Sequence, residues 1–350
     1  MSSNRYGIAW PVHSLTIEDK HIRDVSFVTH SLALPRGSGI LIDVKDTTGR
    51  IFFPTTVKAY KSQRYDVGFN GFHESIYYAE REGHELFLGL PVLRDSSPAA
   101  RRAAMVSASG IPHPHLICPM HELTQELATD LVGDLAVLAP SANLFLPFFR
   151  YPVERKINLD SRHMGIQQEE AFCFCSFCRK GFNARYGYPL SWDRITQSAK
   201  TFFDWLQWRC FTIEILSDLL LKHAGRERLV LEVDLCPKRH FMDGPFLDNG
   251  HDIPALSKKF KKILIHAFDR SMPPSPMVRP GTDTASDIML MTVERLKREA
   301  TVFLLFWQIQ TEQSLEAAYN FANLLDAEIS FFVLHPPIYP ALCRRFAGGK

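Results

Sequence analysis

Eight short apolar runs, separated by longer segments, constrain this chain more than any other feature. They are YGIAWPV (6–12), GILIDVK (39–45), LFLGLPV (86–92), NLFLPFF (143–149), LVLEVDL (229–235), ILIHAFD (263–269), VFLLFWQ (302–308) and EISFFVL (328–334). Their hydrophobicity is nearly continuous, where a half-solvated strand would alternate, which is the pattern of strands covered on both faces in a parallel sheet. Helical patterns fall between them: TIEDKHIRDVSFVTHSL (16–32), HELTQELATDLVGDLAVL (121–138), TFFDWLQWRCFTIEILSDLLLKHAG (201–225), ASDIMLMTVERLKREA (285–300) and EQSLEAAYNFANLL (312–325). The first opens with a capping signal and the third closes on Gly225. Eight β-then-α units over this length predict one (β/α)8 TIM barrel domain spanning 1–350, with enlarged loops after strands three and four. The rival is an open doubly wound sheet, which would place Gly-x-Gly-x-x-Gly after the first strand; that signature is missing.

Charge narrows the partners. The 350 residues are 46% hydrophobic and 22% charged, with a formal net charge of +2. The densest basic run is SKKFKK (257–262), in keeping with a solvated helix face, and no block of five like charges occurs. Neither nucleic acid nor an anionic membrane surface is an expected partner. The longest apolar run, TVFLLFW (301–307), falls well short of the roughly 18 residues of a transmembrane helix. The first residues lack a secretory signal pattern, so a cytoplasmic location is expected.

Active-site groups of such barrels sit where strands end. In LVLEVDL, Glu232 and Asp234 are two apart and share a strand face, while Leu231, Val233 and Leu235 take the other. The acids are expected inside the barrel near its C-terminal mouth, as catalytic groups or as a structural ion pair with Arg150 or Lys45. Asp43 with Lys45 on strand two, and Asp269 after strand six, are further candidates. His266 reads as a satisfied core imidazole. Arg150 could clamp a carboxylate. Trp10, Trp307 and Tyr151 near strand ends are candidate sugar platforms or plain core residues, and Gln308 offers an amide to sugar hydroxyls.

The stretch AFCFCSFCRKGFNARYG (171–187) lies in an insertion at about 150–195 and holds Cys173, Cys175 and Cys178. Seven cysteines, an odd number, in a reducing compartment argue against disulfides. Cys-x-Cys-x2-Cys supplies three thiolates, and Cys118 in the loop after strand three is the natural fourth ligand of a structural zinc. His121 or His163 are substitutes, and the alternative is a reduced, metal-free cluster.

Three segments, ICPMHE (117–122), LFLPFFRYP (144–152) and CFCSFCRKGFNARYG (173–187), resemble glycoside-hydrolase barrels of the family-10-like type. The cysteine cluster is similar to that of family 42 β-galactosidases, in which an upstream cysteine and Cys-x-Cys-x2-Cys bind zinc. The resemblance implies a carbohydrate-active (β/α)8 enzyme, with two strand-end carboxylates as acid and base. It departs at Pro147, where the relatives carry an aspartate, and at strand seven, where FWQIQTE has amides in place of a glutamate. Those departures leave open a barrel that has lost hydrolysis and binds a saccharide or a protein partner.

Overall fold

The computed structural model describes residues 5–10, 34–60, 71–152, 167–234, 245–266, 284–306, 309, 311–333, 340–342 and 344. Eight parallel strands close into a barrel: β1 (Arg5–Trp10), β2 (Gly39–Asp43), β3 (Glu85–Gly89), β6 (Asn143–Leu146), β7 (Leu229–Asp234), β8 (Lys262–His266), β9 (Thr301–Phe306) and β10 (Ile329–Val333). Neighbours pair in that order, and β10 closes on β1 with Arg5 opposite Ile329. This is the (β/α)8 TIM-barrel architecture that the eight runs predict. Described helices cover the outside: α1 (Gly71–Glu82), α2 (Glu122–Leu138), α5 (Ala199–Ala224), α7 (Thr284–Leu296) and α8 (Glu312–Leu325). Three shorter helices, α3 (Ser176–Tyr186), α4 (Trp192–Gln197) and α6 (Ile253–Lys259), fill the connections around α5 and before β8. The helix expected over 16–32 lies outside the described residues.

Alternation along the strands sorts two cores. Leu144, Leu231, Ile263 and Leu304 face the helices in one apolar cluster, and Leu41, Phe87, Val230, Leu264, Phe303 and Phe331 fill the barrel in another. Phe87 meets Phe303 and Phe331 edge to face, with ring centroids 5.1 and 4.9 Å apart. Counting two residues on from Leu41, Phe87 and Leu264, and four on from Val230, reaches Asp43, Gly89, His266 and Asp234, the last residues of β2, β3, β8 and β7.

The loop after β3 holds an antiparallel pair, β4 (Ala104–Val106) with β5 (Pro112–Ile117). Segments on both sides extend it. Asp95 N–H donates to His115 (2.8 Å) and Ile117 N–H to Leu93 (3.0 Å); on the far edge Ala108 N–H donates to Ala171 and Phe174 N–H to Val106. The result is a small accessory sheet that joins the loop after β3 to the segment carrying three of the cysteines.

Candidate functional site at the barrel mouth

Glu232 is buried inside the barrel, 1% exposed. A carboxylate there must be fully paired, and both its oxygens are: Oε2 accepts the Phe148 backbone N–H, and Oε1 contacts His266 Nε2. Phe148 follows β6 with φ 56°, a left-handed conformation that is costly for an aromatic residue. Its N–H is thereby turned toward Glu232, and its ring lies under the Arg94 guanidinium at 4.6 Å.

One step closer to the mouth, Asp234 binds the Arg150 guanidinium. The Asp234 side chain keeps 18% exposure, so it reaches further toward solvent than Glu232 does. Asn249 Nδ2 donates to the Asp234 carbonyl at 2.9 Å, which fixes the strand end. Burial alone would lower the Arg150 pKa; the charges of Asp234 and Glu232 reverse that and hold it raised. Asp43 packs on Gly89, the neighbouring strand's last residue, where any Cβ would collide with its carboxylate. Asp43 thus shares the interior face with Asp234 from another wall of the barrel.

Lys45 turns elsewhere. Its ammonium binds Asp95 at 3.1 Å and the carbonyls of Arg94 (3.0 Å) and Pro91 (3.2 Å). Tyr60 and Ser97 complete the Asp95 shell. Burial lowers the Lys45 pKa against the opposing pull of Asp95. This buried pair ties the loops after β2 and β3 together.

Tyr151 has no exposed surface. Its hydroxyl pairs with Thr212 Oγ1 at 2.7 Å, its N–H donates to Asn249 (3.0 Å), and the Arg209 guanidinium covers its ring at 4.7 Å. It forms part of the wall behind Arg150 and presents no ring face to a cleft. Arg209 also holds the Leu247 and Asp248 carbonyls at 2.8 and 2.7 Å. His251, equally buried, contacts the Phe149 carbonyl through Nε2 at 2.7 Å, and burial pushes its pKa down to about 4. Asp269, Trp307 and Gln308 lie outside the described residues, as does the side chain of Trp10.

The four cysteines converge. Cys118, Cys173, Cys175 and Cys178 are all buried, with sulfurs within 4.8 Å of one another; Cys118 Sγ lies 3.4 Å from Cys178 Sγ and 3.5 Å from Cys175 Sγ. Four sulfurs each about 2.3 Å from a tetrahedral metal stand about 3.8 Å apart, so this group can hold a metal ion. Backbone N–H groups are aimed at two of them, Val106 to Cys173 (3.4 Å) and Cys178 to Cys175 (3.5 Å), as suits thiolates. Hydrogen bonds from Cys118, Cys173 and Cys178 hold the Cys175 pKa far below the ordinary thiol range, while those of Cys118 and Cys178 are raised. His121 is not in the group: its Nδ1 caps α2 at Leu123 N–H, and its ring packs on Phe177. His163 lies outside the described residues.

Asp95, Arg94, Asn249 and His251 carry no signal in the sequence that would mark them, because their partners are distant along the chain. Phe148 is also silent there, since nothing local announces its backbone conformation.

No known family matches the sequence, and no curated protein does. Solved structures do match. The glycoside hydrolase domain of PgaB (BpsB) from Bordetella bronchiseptica superposes with a TM-score of 0.65 at 14% identity, over 99% of this chain and 97% of that one. The catalytic domain of β-amylase from Paenibacillus polymyxa gives 0.60 at 12%, over 95% and 92%. A β-galactosidase from the Antarctic haloarchaeon Halorubrum lacusprofundi gives 0.55 at 11%, and the chain spans 52% of its length. The chain therefore shares its barrel fold with these proteins. Among the described residues, no helix is long and apolar enough to cross a membrane.

Proposed function

We propose that this chain is a glycoside hydrolase acting on a carbohydrate through carboxylates at the barrel mouth, with residues 1–350 forming one barrel domain. Asp234 beside Arg150 carries the reading: an interior-facing acid at the end of a barrel strand, partly exposed and held in one orientation by a bidentate-capable cation. Asp43, or Asp269 beyond the described residues, is the second carboxylate of the pair that glycoside hydrolysis requires. Glu232, with both oxygens taken by protein partners, supports the site from below. The four-cysteine group holds a structural zinc, and none of the five described cysteines is in a disulfide, which suits a reducing cytoplasm.

A second reading keeps the carbohydrate and drops the reaction. Pro147 follows β6 where the resembling barrels carry an aspartate, and Asp234 is engaged by Arg150; both suit a barrel that binds a saccharide or a protein. Purified wild type and Asp234→Asn, screened against chromogenic glycosides and a glycan array, separate the two. Hydrolysis that falls at least about 100-fold in Asp234→Asn, with little change in melting temperature, supports the enzyme. Saturable glycan binding without turnover supports the binding module, and activity within threefold of wild type removes Asp234 from the mechanism.

A further inference from the structure

We infer that Tyr151 is a positioning residue that couples metal occupancy at the four-cysteine group to the Arg150–Asp234 pair. The inference rests on the metal reading proposed above. Arg150, its neighbour in the chain, binds Asp234. The Tyr151 N–H donates to the carbonyl of Asn249, whose own side chain donates to the carbonyl of Asp234. The Tyr151 hydroxyl is pinned by Thr212, and burial, followed by the charges of Cys178, Cys118 and Cys173, raises its pKa. One rigid side chain thus spans from Thr212 and Arg209 to the two residues that hold Asp234 in place.

The span is packed along its length. The Cys-bearing segment places Phe174 against Trp205 at 6.3 Å; Arg209 covers both Trp205 (5.1 Å) and Tyr151 (4.7 Å). Gly250, at φ 69°, lacks the Cβ that would stand 2.8 Å from the Tyr151 ring. A shift of the cysteine segment on metal loss is passed along Phe174, Trp205 and Arg209 to the Tyr151 ring. Close-packed interiors transmit such displacement and do not absorb it.

The test uses the full chain, stripped with a chelator and reloaded with zinc, and reads amide hydrogen exchange by mass spectrometry alongside metal content. Zinc is expected to slow exchange at least about threefold both in 104–118 with 171–178 and in 149–151 with 247–251. Tyr151→Leu removes the ring that Arg209 covers, and Tyr151→Phe keeps the ring and loses only the hydroxyl. The leucine variant should bind zinc and keep the first response, with the second reduced to background, while the phenylalanine variant should keep both. A merely structural tyrosine would lower stability in the leucine variant and leave both responses in place, which overturns the coupling. Zinc binding with no response in 149–151 overturns it too while leaving the metal site standing. Failure to bind zinc at all removes the metal reading and the coupling together.

Discussion

His251 shows how a single buried group sets a pH limit on this fold. With its pKa lowered from 6.5 to about 4 by burial, it is neutral in the native protein at neutral pH, and Nε2 donates to the Phe149 carbonyl. The unfolded chain takes up the proton near pH 6.5. The native state resists it until about pH 4, so stability is whole above about 6.5 and falls as pH drops between the two values. Over that window the linkage amounts to something on the order of 3 kcal/mol. Urea denaturation at about pH 7 and about pH 4.5 should show a loss of this order. His251→Gln, whose amide can still donate to Phe149, should lose correspondingly less; an equal loss would assign the acid sensitivity to other groups. At this scale the sequence is partly readable. That Glu232 and Asp234 share a face follows from their spacing of two. An ion pair of these acids with Arg150 or Lys45 is also legible as an option; that Arg150 takes Asp234 while Lys45 turns to Asp95 depends on which loops meet over the mouth, and chain proximity carries no record of that choice.

Among the elements, the eight barrel strands are legible because each is largely covered on both sides and reads as a nearly continuous apolar run. The accessory sheet is not. β4 has only three residues, and β5 reads Pro-His-Pro-His before its two buried positions, a composition that ordinarily argues against a strand. α1, whose buried side mixes Phe72, Ser75, Ile76, Tyr78 and Ala79, is equally quiet in the sequence. What makes the accessory sheet stable is its attachment at both edges, including the cysteine group where Cys118 N–H also donates to Ala103 at 2.7 Å. Cys175 caps α3 through its sulfur and stands among the other three. Cys175→Ser is therefore expected to drop the metal content from about one zinc per chain toward zero and to speed limited proteolysis within 104–118 and 171–178 by about tenfold. Elemental analysis and mapped cleavage sites check this. A metal-free wild type with protected loops would leave four packed thiols.

At the scale of the whole molecule, barrel closure depends on matching large and small side chains across the interior. Phe331 on β10 occupies the space above Gly7 and Gly39, and a Cβ on Gly39 would stand 2.6 Å from its ring. Gly7 pairs with both neighbouring strands, opposite Phe331 on one side and Gly39 on the other, so this fit sits at the seam where the first and last strands meet. Gly39 is needed because the ring is there, and Gly7 because both the ring and the Gly39 carbonyl are, not for backbone freedom. Gly39→Ala should overpack the seam and cost about 1–3 kcal/mol. Phe331→Ala should open a cavity and cost about 3–5 kcal/mol. The double substitution should cost less than the sum by at least about 1 kcal/mol, because the methyl enters volume that the ring has vacated. A double-mutant cycle by urea denaturation measures the difference directly. Additivity within about 0.5 kcal/mol would mean that the barrel accommodates the methyl by moving its strands, and that closure does not turn on this fit.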